Sequence, residues 1–333
     1  MRRIISANGG AKARQAWRSL LAKTKWIRIA TKYEVHRRAL SNRASQRRFR
    51  SSEPPLDDLQ HRLVANLREN GIAITSFSEL IDDSELWTAL ETDIDAFAKQ
   101  AATDVRDELE QPTGKRDYYI SRWAARHRDP GRLERRVSID DPWVTLGLSN
   151  RMLDVVNAYR GLWTKLLSVD NVYTVPFPEN EQRVGAQNWH RDPEDLHVVK
   201  VFLYFSDVDD EAGPFQYVQG SAEGGRYGDA WPWRVTGGGY PPTGELEKLV
   251  APSDRVSAKG RAGTIIFCDT SGWHRGGFAK SKPRTLSIHT YVSPASIAAK
   301  RTKPQISIDG SGVNGRLGDV ARFAVPDSSR RAA

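Results

Sequence analysis

The sequence of 333 residues predicts a mainly β protein, a double-sheet jelly roll with packed N-terminal α-helices. Two observations support this prediction. Apolar residues recur at helical spacing before Gly161, whereas short strand-like runs separated by turn residues fill the chain from Trp163 to Pro294. In addition, the second part contains neither a Gly-rich phosphate loop nor an internal repeat. Helices followed by many short strands are typical of a packed double sheet with helices against it.

Three helices are predicted in the first part of the chain. The first has apolar residues at helical spacing from Leu56 to Leu67, and the second has them from Leu86 to Ala101. The residues expected to cap or end the helices are Gly71 after the first, Ser84 before the second, and Ser149 and Gly161 around the third. A short strand is expected at 72–74, and a strand with a loop over the functional site within 111–137.

Charge separates a basic arm from a mildly acidic body. Residues 1–50 hold fifteen Lys or Arg and one acid, a local net charge of +14, so the other residues carry −5 of the total of +9. The predicted divisions are an arm at 1–52, a domain at 53–295 and a C-terminal extension at 296–333. Inside the domain we expect helices at 56–110, a jelly-roll core at about 117–295 and a lid-like insertion at 222–259.

The basic arm has several possible roles. Its apolar residues, such as Trp17, Leu20 and Trp26, suit a helix on an anionic membrane surface. A solvated extension is an equally favoured interpretation, and an Arg-rich targeting segment is a third. Binding to nucleic acid through phosphates is not the expected role. The predicted location is cytoplasmic, with peripheral membrane contact through residues 1–50.

Composition excludes several classes of site. Cys268 is the one cysteine, so a disulfide framework, a thiolate zinc site and an iron–sulfur cluster are excluded. It lies in an apolar strand pattern and is expected to be a small buried hydrophobe. The longest apolar runs, such as 198–205, are too short to span a membrane.

The candidate metal ligands are His190, Asp192 and His274. Two imidazoles and one carboxylate can occupy one face of a metal ion and leave the opposite positions open, as in non-haem Fe(II) oxygenases. His190 and Asp192 are two residues apart, so on one strand they point to the same side. His274 must then come from a strand that passes alongside.

Arg284 follows His274 by ten residues, in a stretch that predicts a hairpin. One strand would end near His274, the turn would lie around 276–283, and a second strand would start at Arg284. An arginine at that point can return near the metal, and its planar fork suits a carboxylate. The alternative is a surface arginine in an ion pair.

Several further residues are candidates around the site. Gln187 lies three residues before His190 and is a candidate co-substrate contact. Trp231 and Trp233 could stack on a substrate, although anchoring of the insertion is the favoured alternative. Arg275 either packs against its turn or binds a substrate anion. His289 is five positions after Arg284 and is expected to face the other side of the strand.

Taken together, these motifs resemble the phytanoyl-CoA dioxygenase-like family of Fe(II)/2-oxoglutarate-dependent oxygenases, over roughly residues 56–294. The motifs that carry the resemblance are His190-Arg191-Asp192, the strand-like run 198–208, Ala212-Gly213-Pro214, the run 215–221, the run 260–264, His274 and Arg284. The resemblance implies a double-stranded β-helix (jelly-roll, cupin-like) core. It also implies that iron is held by His190, Asp192 and His274, and that Arg284 binds the distal carboxylate of 2-oxoglutarate.

The activity implied by the resemblance is an oxidation that uses Fe(II), O2 and the co-substrate 2-oxoglutarate. Succinate and CO2 are released, and an unactivated C–H bond of an organic substrate is hydroxylated. Halogenating relatives lack the carboxylate ligand, so Asp192 favours hydroxylation or a related oxidation such as desaturation. The expected substrate is a small molecule or a lipid- or glycan-linked one. The alternative is a non-catalytic jelly-roll binding module, tethered to membrane or nucleic acid by the arm.

Overall fold

The computed structural model describes residues 42–110, 119–121, 137–176, 183, 185–232, 239–296, 306–307 and 317–325. The helices in these parts are α1 Arg43–Ser51, α2 Asp58–Asn70, α3 Phe77–Leu80, α4 Ser84–Glu110, α5 Pro142–Leu148, α6 Asn150–Arg160, α7 Glu245–Leu249 and α8 Asp319–Ala324. The strands are β1 Ile72–Ser76, β2 Tyr119–Ser121, β3 Val137–Ser138, β4 Lys165–Thr174, β5 Val199–Tyr204, β6 Phe215–Val218, β7 Arg255–Ala258, β8 Thr264–Cys268, β9 His274–Arg275, β10 Arg284–Val292 and β11 Ile306–Ser307. The order of helices first and strands later agrees with the prediction.

Local signals explain where the helices begin and end. Helix α2 ends at Gly71, whose φ of 78° is left-handed and therefore favours glycine. Ser149 accepts a hydrogen bond from the backbone of α6, and Gly161 ends that helix. The expected cap of α4 was wrong by one residue. The carboxylate of Asp83, rather than the hydroxyl of Ser84, accepts from the backbone of the first turn, because Asp83 precedes the first helical residue.

The strands form the two facing sheets of a jelly roll. A six-stranded antiparallel sheet has the order β1-β8-β5-β10-β4-β2, and a three-stranded antiparallel sheet has the order β7-β6-β9. The segment at His190 extends the smaller sheet through an antiparallel bridge to His274. From β4 to β10 the chain thus alternates between the sheets, apart from the consecutive strands β6 and β7, which pair within the smaller one. This is the winding of a double-stranded β-helix. A separate two-residue parallel pairing joins β3 to β11.

The run 198–205 is hydrophobic at every position except Lys200, because strand β5 faces an apolar core on each side. Val201 and Leu203 of β5 pack outward against the helices, whereas Phe202 and Tyr204 pack inward against the smaller sheet. A strand that is covered on both faces is apolar at nearly every position. Cys268 is fully buried in the inner core, as the sequence predicted.

The predicted hairpin between His274 and Arg284 was wrong. Strand β9 pairs with β6 in the smaller sheet, whereas β10 pairs with β4 and β5 in the larger one. Residues 276–283 therefore cross from one sheet to the other. The reason is that β9 has only two residues and its partners are already in place on both sides, β6 and the segment at His190.

Helices from the two ends of the chain pack on the same edge of the body. Ser45 of α1 donates to the carbonyl of Trp163 at 2.5 Å, and Phe49 is buried. In α8, Phe323 packs edge-to-face on Trp163, and Ala321 is buried beside it. The part of the arm from 42 onward is therefore attached to the body. Among the described residues, no helix is both long and apolar enough to cross a membrane.

Candidate metal centre

Three side chains that could hold a metal ion meet between the two sheets. One ligand atom from each of His190, Asp192 and His274 lies within 4.8 Å of the other two. His190 Nε2 is 3.6 Å from Asp192 Oδ1, and His274 Nε2 is 3.3 Å from Asp192 Oδ2. All three residues are buried. Two imidazole nitrogens and one carboxylate oxygen thus converge on one point, a donor set that suits a transition-metal ion.

Backbone contacts orient both histidines. His190 and His274 face each other in the antiparallel bridge, with N–O distances of 2.9 and 3.0 Å. Each Nδ1 lies against the carbonyl two residues earlier, at 2.8 Å from Asn188 and 3.0 Å from Gly272. Because a carbonyl only accepts, each Nδ1 carries the proton. In the neutral ring this tautomer leaves the lone pair on Nε2, the atom that faces the carboxylate, as metal ligation requires.

A buried turn at 269–272 holds the carboxylate ligand and the distal histidine together. The backbone N–H of Asp192 donates to the Thr270 carbonyl at 2.9 Å. Asp269 closes the turn by accepting from the backbone and the hydroxyl of Ser271, at 3.1 and 2.6 Å. The same turn supplies the carbonyl that orients His274. One turn therefore positions two of the three ligands.

Helix α6 anchors this turn through the other oxygen of Asp269. Tyr159 donates its hydroxyl to Asp269 Oδ2 at 2.7 Å, and Arg160 Nη2 lies 2.8 Å from the same oxygen. Both side chains of the Arg160–Asp269 ion pair are buried. A buried carboxylate that has all these partners is rigid, so Asp269 transmits the position of α6 to the distal histidine.

The protonation states also suit metal binding. Burial lowers the pKa of His190 to about 4, and the neighbouring His274 acts in the same direction. Burial alone would raise the pKa of Asp192, but Lys200 and His274 hold it well below its ordinary value. At neutral pH His190 is therefore neutral and Asp192 is ionised, which are the forms that coordinate a metal.

Sequence reasoning missed Lys200 and Glu194. Lys200 Nζ lies 2.8 Å from Asp192 Oδ2 and 3.2 Å from Glu194 Oε1. Burial would lower the pKa of Lys200, but the two carboxylates raise it above its ordinary value. The signal was in the sequence, because Lys200 is the one charged residue in the run 198–205. An isolated charge in a buried strand is a candidate for pairing with a functional carboxylate.

Arg284 lies at the start of β10 and is buried on the inner side of the sheet. Its guanidinium donates to the Gly213 carbonyl, and Nη2 lies 3.4 Å from Thr174 Oγ1. Tyr204, on the neighbouring strand β5, also bonds to it. Within the described residues, the acceptors of Arg284 are thus a carbonyl and hydroxyls rather than a carboxylate. Its charge remains available for an anionic ligand.

Gln187 is buried in a 3₁₀ helix, Gly185–Gln187, just before the metal ligands. The carbonyl of Ala186 in this helix accepts from the backbone of Gly276 at 2.8 Å, so the helix lies beside the residue that follows β9. Its role as a co-substrate contact stays a prediction.

Contacts of Arg275 favour packing at the turn over anion binding. Its Nε donates to Gln216 Oε1 at 2.6 Å, and its guanidinium lies over the ring of Trp189, 4.3 Å from the centroid. Glu247 is 3.6 Å from the same guanidinium and accepts from the indole of Trp189 at 2.8 Å. Arg275 is thus engaged on three sides.

The two predicted tryptophan contacts differ in outcome. Trp231 packs edge-to-face against buried Trp273, with ring centroids 6.1 Å apart, which favours the anchoring alternative. Trp233 lies outside the described residues. An aromatic residue that the sequence did not single out, Tyr240, contacts one of the candidate ligands. Tyr240 is 59% exposed, and its ring stacks on His190 at 6.0 Å, so it lies at the mouth of the site.

Arg191 ties the start of the predicted insertion to the metal ligands. This arginine lies between His190 and Asp192 in the sequence, and its side chain is buried. Its guanidinium lies over the ring of Trp273, 4.5 Å from the centroid. Its guanidinium donates to the carbonyls of Ser221, Tyr227, Gly228, Ala230 and Ser271. The segment 221–230 is therefore fastened to the ligand-bearing segment. Whether the rest of the insertion acts as a lid stays a prediction.

Comparison with solved structures finds similar chains among non-haem enzymes. EctD from S. alaskensis with bound Fe is 15% identical, with a TM-score of 0.46, and the match covers 72% of this chain and 80% of EctD. The epimerase SnoN in complex with Fe3+, alpha ketoglutarate and nogalamycin RO is 18% identical, with a TM-score of 0.43. The match covers 76% of this chain and 91% of SnoN. HygX from Streptomyces hygroscopicus with nickel and 2-oxoglutarate bound is 15% identical, with a TM-score of 0.41. The match covers 71% of this chain and 87% of HygX.

Similarity at this level concerns the arrangement of strands and does not identify a reaction or a substrate. No family model matches the chain, and no curated protein matches it. Membership of the phytanoyl-CoA dioxygenase-like family therefore stays a prediction. The class that the molecule's own topology defines is a jelly-roll protein with a His-Asp-His group between its sheets.

Proposed function

We propose that this protein is an Fe(II)- and 2-oxoglutarate-dependent oxygenase that hydroxylates an unactivated C–H bond of an organic substrate. The proposed reaction consumes O2 and releases succinate and CO2. The observation that carries the proposal is the convergence of His190, Asp192 and His274 in the same interior that contains the buried Arg284.

The donor set fits iron. Two neutral imidazoles and one ionised carboxylate are the ligands that non-haem Fe(II) oxygenases use, whereas the hard cations Mg²⁺ and Ca²⁺ prefer oxygen donors. Both imidazoles have Nδ1 bonded to a carbonyl and Nε2 directed to the site. Three ligands on one side leave coordination positions for a co-substrate and O2. A purely structural pair of histidines would not need both Nε2 atoms directed at one carboxylate.

Arg284 fits the distal carboxylate of 2-oxoglutarate. A buried guanidinium costs much free energy unless it is paired, and here its neighbours are a carbonyl and hydroxyls. A carboxylate bound by the planar fork would supply the missing charge through two parallel hydrogen bonds. Thr174 and Tyr204 flank the guanidinium and are placed to donate to the same carboxylate.

The roles of the chain's own residues follow from this arrangement. Iron, when bound, supplies the redox chemistry that couples oxidation of 2-oxoglutarate by O2 to oxidation of the substrate. His190, Asp192 and His274 hold the ion, and Arg284 orients the co-substrate. The apolar inner core around Phe202 limits access of water to this interior.

The proposed substrate is a small molecule that approaches past Tyr240, whose exposed ring lies beside His190. A lipid- or glycan-linked substrate fits if the basic arm lies against an anionic membrane surface, and we propose a cytoplasmic location with such peripheral contact. Trp233 stays an untested candidate for substrate contact. No observation favours the alternative of a non-catalytic binding module, because such a module has no use for two oriented Nε2 atoms.

Anaerobic reconstitution tests the proposal. Fe(II) and 2-oxoglutarate are added without oxygen, and the visible charge-transfer band of their complex is recorded. Oxygen and candidate substrates are then added, and succinate release is measured. A band and oxygen-dependent succinate support the proposal. If the protein binds neither Fe(II) nor 2-oxoglutarate, the proposal is wrong.

A further inference from the structure

Lys200 occupies a position where a charged residue requires a reason. It lies on β5, on the same side of the strand as Phe202 and Tyr204, and therefore points into the space between the sheets. Its ammonium contacts Asp192 Oδ2 at 2.8 Å and Glu194 Oε1 at 3.2 Å. Its side chain is 16% exposed, so both ion pairs are largely shielded from water.

Asp192 is the candidate ligand that this ammonium contacts. The carboxylate turns one oxygen toward each histidine, with Oδ1 at 3.6 Å from His190 Nε2 and Oδ2 at 3.3 Å from His274 Nε2. The ammonium lies against Oδ2, so it places a positive charge close to the position of the ion. Such a charge weakens attraction of the cation itself.

Four charged side chains beside the proposed metal and co-substrate show what this cation balances. Asp192 and Glu194 supply two negative charges, and Lys200 and Arg284 supply two positive ones, so these four side chains are neutral together. A divalent metal and a dianionic co-substrate added to them again sum to zero. Without Lys200 the loaded site would carry one excess negative charge. In a buried site such an excess opposes the last anion to bind.

We propose that Lys200 and Glu194 form a charge-balancing pair beside the metal. The pair weakens binding of the metal and strengthens binding of a dianionic co-substrate. This inference rests on the proposed function, since it concerns the same metal and co-substrate. It predicts opposite signs for the two affinities, whereas a merely structural ion pair would weaken both when it is lost.

Three variants separate these interpretations. Lys200→Met keeps an unbranched side chain of similar length and removes the charge. Glu194→Gln removes one negative charge at nearly constant shape. The double variant restores the wild-type net charge without the ion pair. The matched control is Lys259→Met, because Lys259 forms an ion pair with Asp210 at the exposed surface.

The readouts are binding of Mn(II) alone, followed by binding of 2-oxoglutarate to the Mn(II)-loaded protein, with the full chain and no turnover. In Lys200→Met, we expect Mn(II) to bind about tenfold more tightly and 2-oxoglutarate about tenfold or more weakly, from the loss of one nearby charge. Glu194→Gln should change both affinities in the opposite directions. The double variant should return both to within about threefold of wild type, and Lys259→Met should change neither.

The outcomes distinguish failure of this inference from failure of the proposed function. Weaker binding of both ligands in Lys200→Met, without rescue in the double variant, would show a structural role only and overturn the inference. If Lys200→Met does not fold, the signs in Glu194→Gln decide, and unchanged or equal-sign shifts there overturn it as well. If wild-type protein binds neither Mn(II) nor 2-oxoglutarate, the proposed function itself is wrong.

Discussion

Buried histidines lie on both sides of the six-stranded sheet, and their partners differ. On the inner side, His190 and His274 each use Nδ1 for a backbone carbonyl and turn Nε2 toward a carboxylate. On the outer side, His289 uses Nε2 for the Trp143 carbonyl of α5 at 2.9 Å. Gly147 of α5 lies so close to this ring that a Cβ there would come within 2.8 Å of it. The outer histidine is enclosed by a helix, and the inner ones are not.

The comparison shows that burial and a shifted pKa do not distinguish a ligand from a structural histidine. Burial lowers the pKa of both His190 and His289 to about 4. What differs is the group that each second nitrogen faces. At His190 it is an ionised carboxylate, and at His289 no hydrogen-bond partner for Nδ1 lies within the described residues. The arrangement of neighbours, rather than residue type, therefore assigns the role.

Removal of an inner histidine should have the largest effect. In His274→Ala, the site loses one of three ligands, so the Fe(II)–2-oxoglutarate charge-transfer band should disappear under anaerobic conditions. His61→Ala is the control, because His61 is exposed on α2 and should leave the band unchanged. A band of wild-type intensity in His274→Ala would refute the distal ligand.

Loss of Arg284 should leave the metal in place and remove the co-substrate. Arg284→Leu takes away the charged partner of a buried carboxylate, which costs on the order of 2–5 kcal/mol of binding free energy. Titration of 2-oxoglutarate into metal-loaded protein measures the loss. Arg284→Lys should recover only part of it, because a point charge cannot form the bidentate contact. Equal affinity in Arg284→Leu and wild type would exclude this role.

Asp269 tests whether the turn at 269–272 positions the inner ligands. Asp269→Asn keeps the shape but weakens the contacts to Tyr159 and Arg160, so metal affinity should fall about 10- to 100-fold. The readout is Mn(II) binding, with Asp210→Asn at the exposed surface as the control. Thermal unfolding, followed in parallel, separates loss of affinity from loss of fold. An unchanged Mn(II) affinity in a folded variant would argue against the positioning role.

The outer histidine should affect the pH dependence of stability instead. Because the pKa of His289 is about 4 when folded and near its ordinary 6.5 when unfolded, the unfolded chain takes up the proton first as pH falls. The free energy of unfolding should therefore decrease between pH 6.5 and 4, with at most about 1.4 kcal/mol per pH unit from this group. His289→Gln should have a shallower slope, measured by urea unfolding at several pH values, and should still bind Mn(II). An unchanged slope would mean that His289 titrates normally.

The basic arm should contribute the smallest effect per residue. Arg43, Arg47 and Arg50 of α1 are exposed, whereas Ser45 and Phe49 pack on the body. A truncated chain should therefore begin at Asn42, so that α1 stays in place. It should keep 2-oxoglutarate binding and lose most of its co-sedimentation with anionic vesicles.

Salt and competing ligands test the role of the arm further. Each Lys or Arg near an anionic surface contributes about 1 kcal/mol, so the full chain should leave the vesicles at high salt. If the full chain ignores vesicles but shifts nucleic acid at physiological salt, the nucleic-acid alternative is correct. If it binds neither, the arm is a solvated or targeting extension.

Local sequence signals were sufficient for several elements and for the shared side of two candidate ligands. The spacing of apolar residues, with Gly71, Ser149 and Gly161 as boundaries, predicts α2 and α6 because caps and turns depend on a few neighbouring residues. The two-residue spacing of His190 and Asp192 likewise predicts that they share one side, since side-chain direction in extended chain is local.

Tertiary structure alone decided how these pieces meet. The sequence suggested a hairpin for His274 and Arg284, but β9 and β10 lie in different sheets, because pairing depends on which strands are already neighbours. Lys200 contacts Asp192 only because the fold turns β5 back beside the ligand segment. Local pattern determines which way a side chain points, whereas contacts between distant segments determine what it faces, and the charge and function of this interior depend on the second.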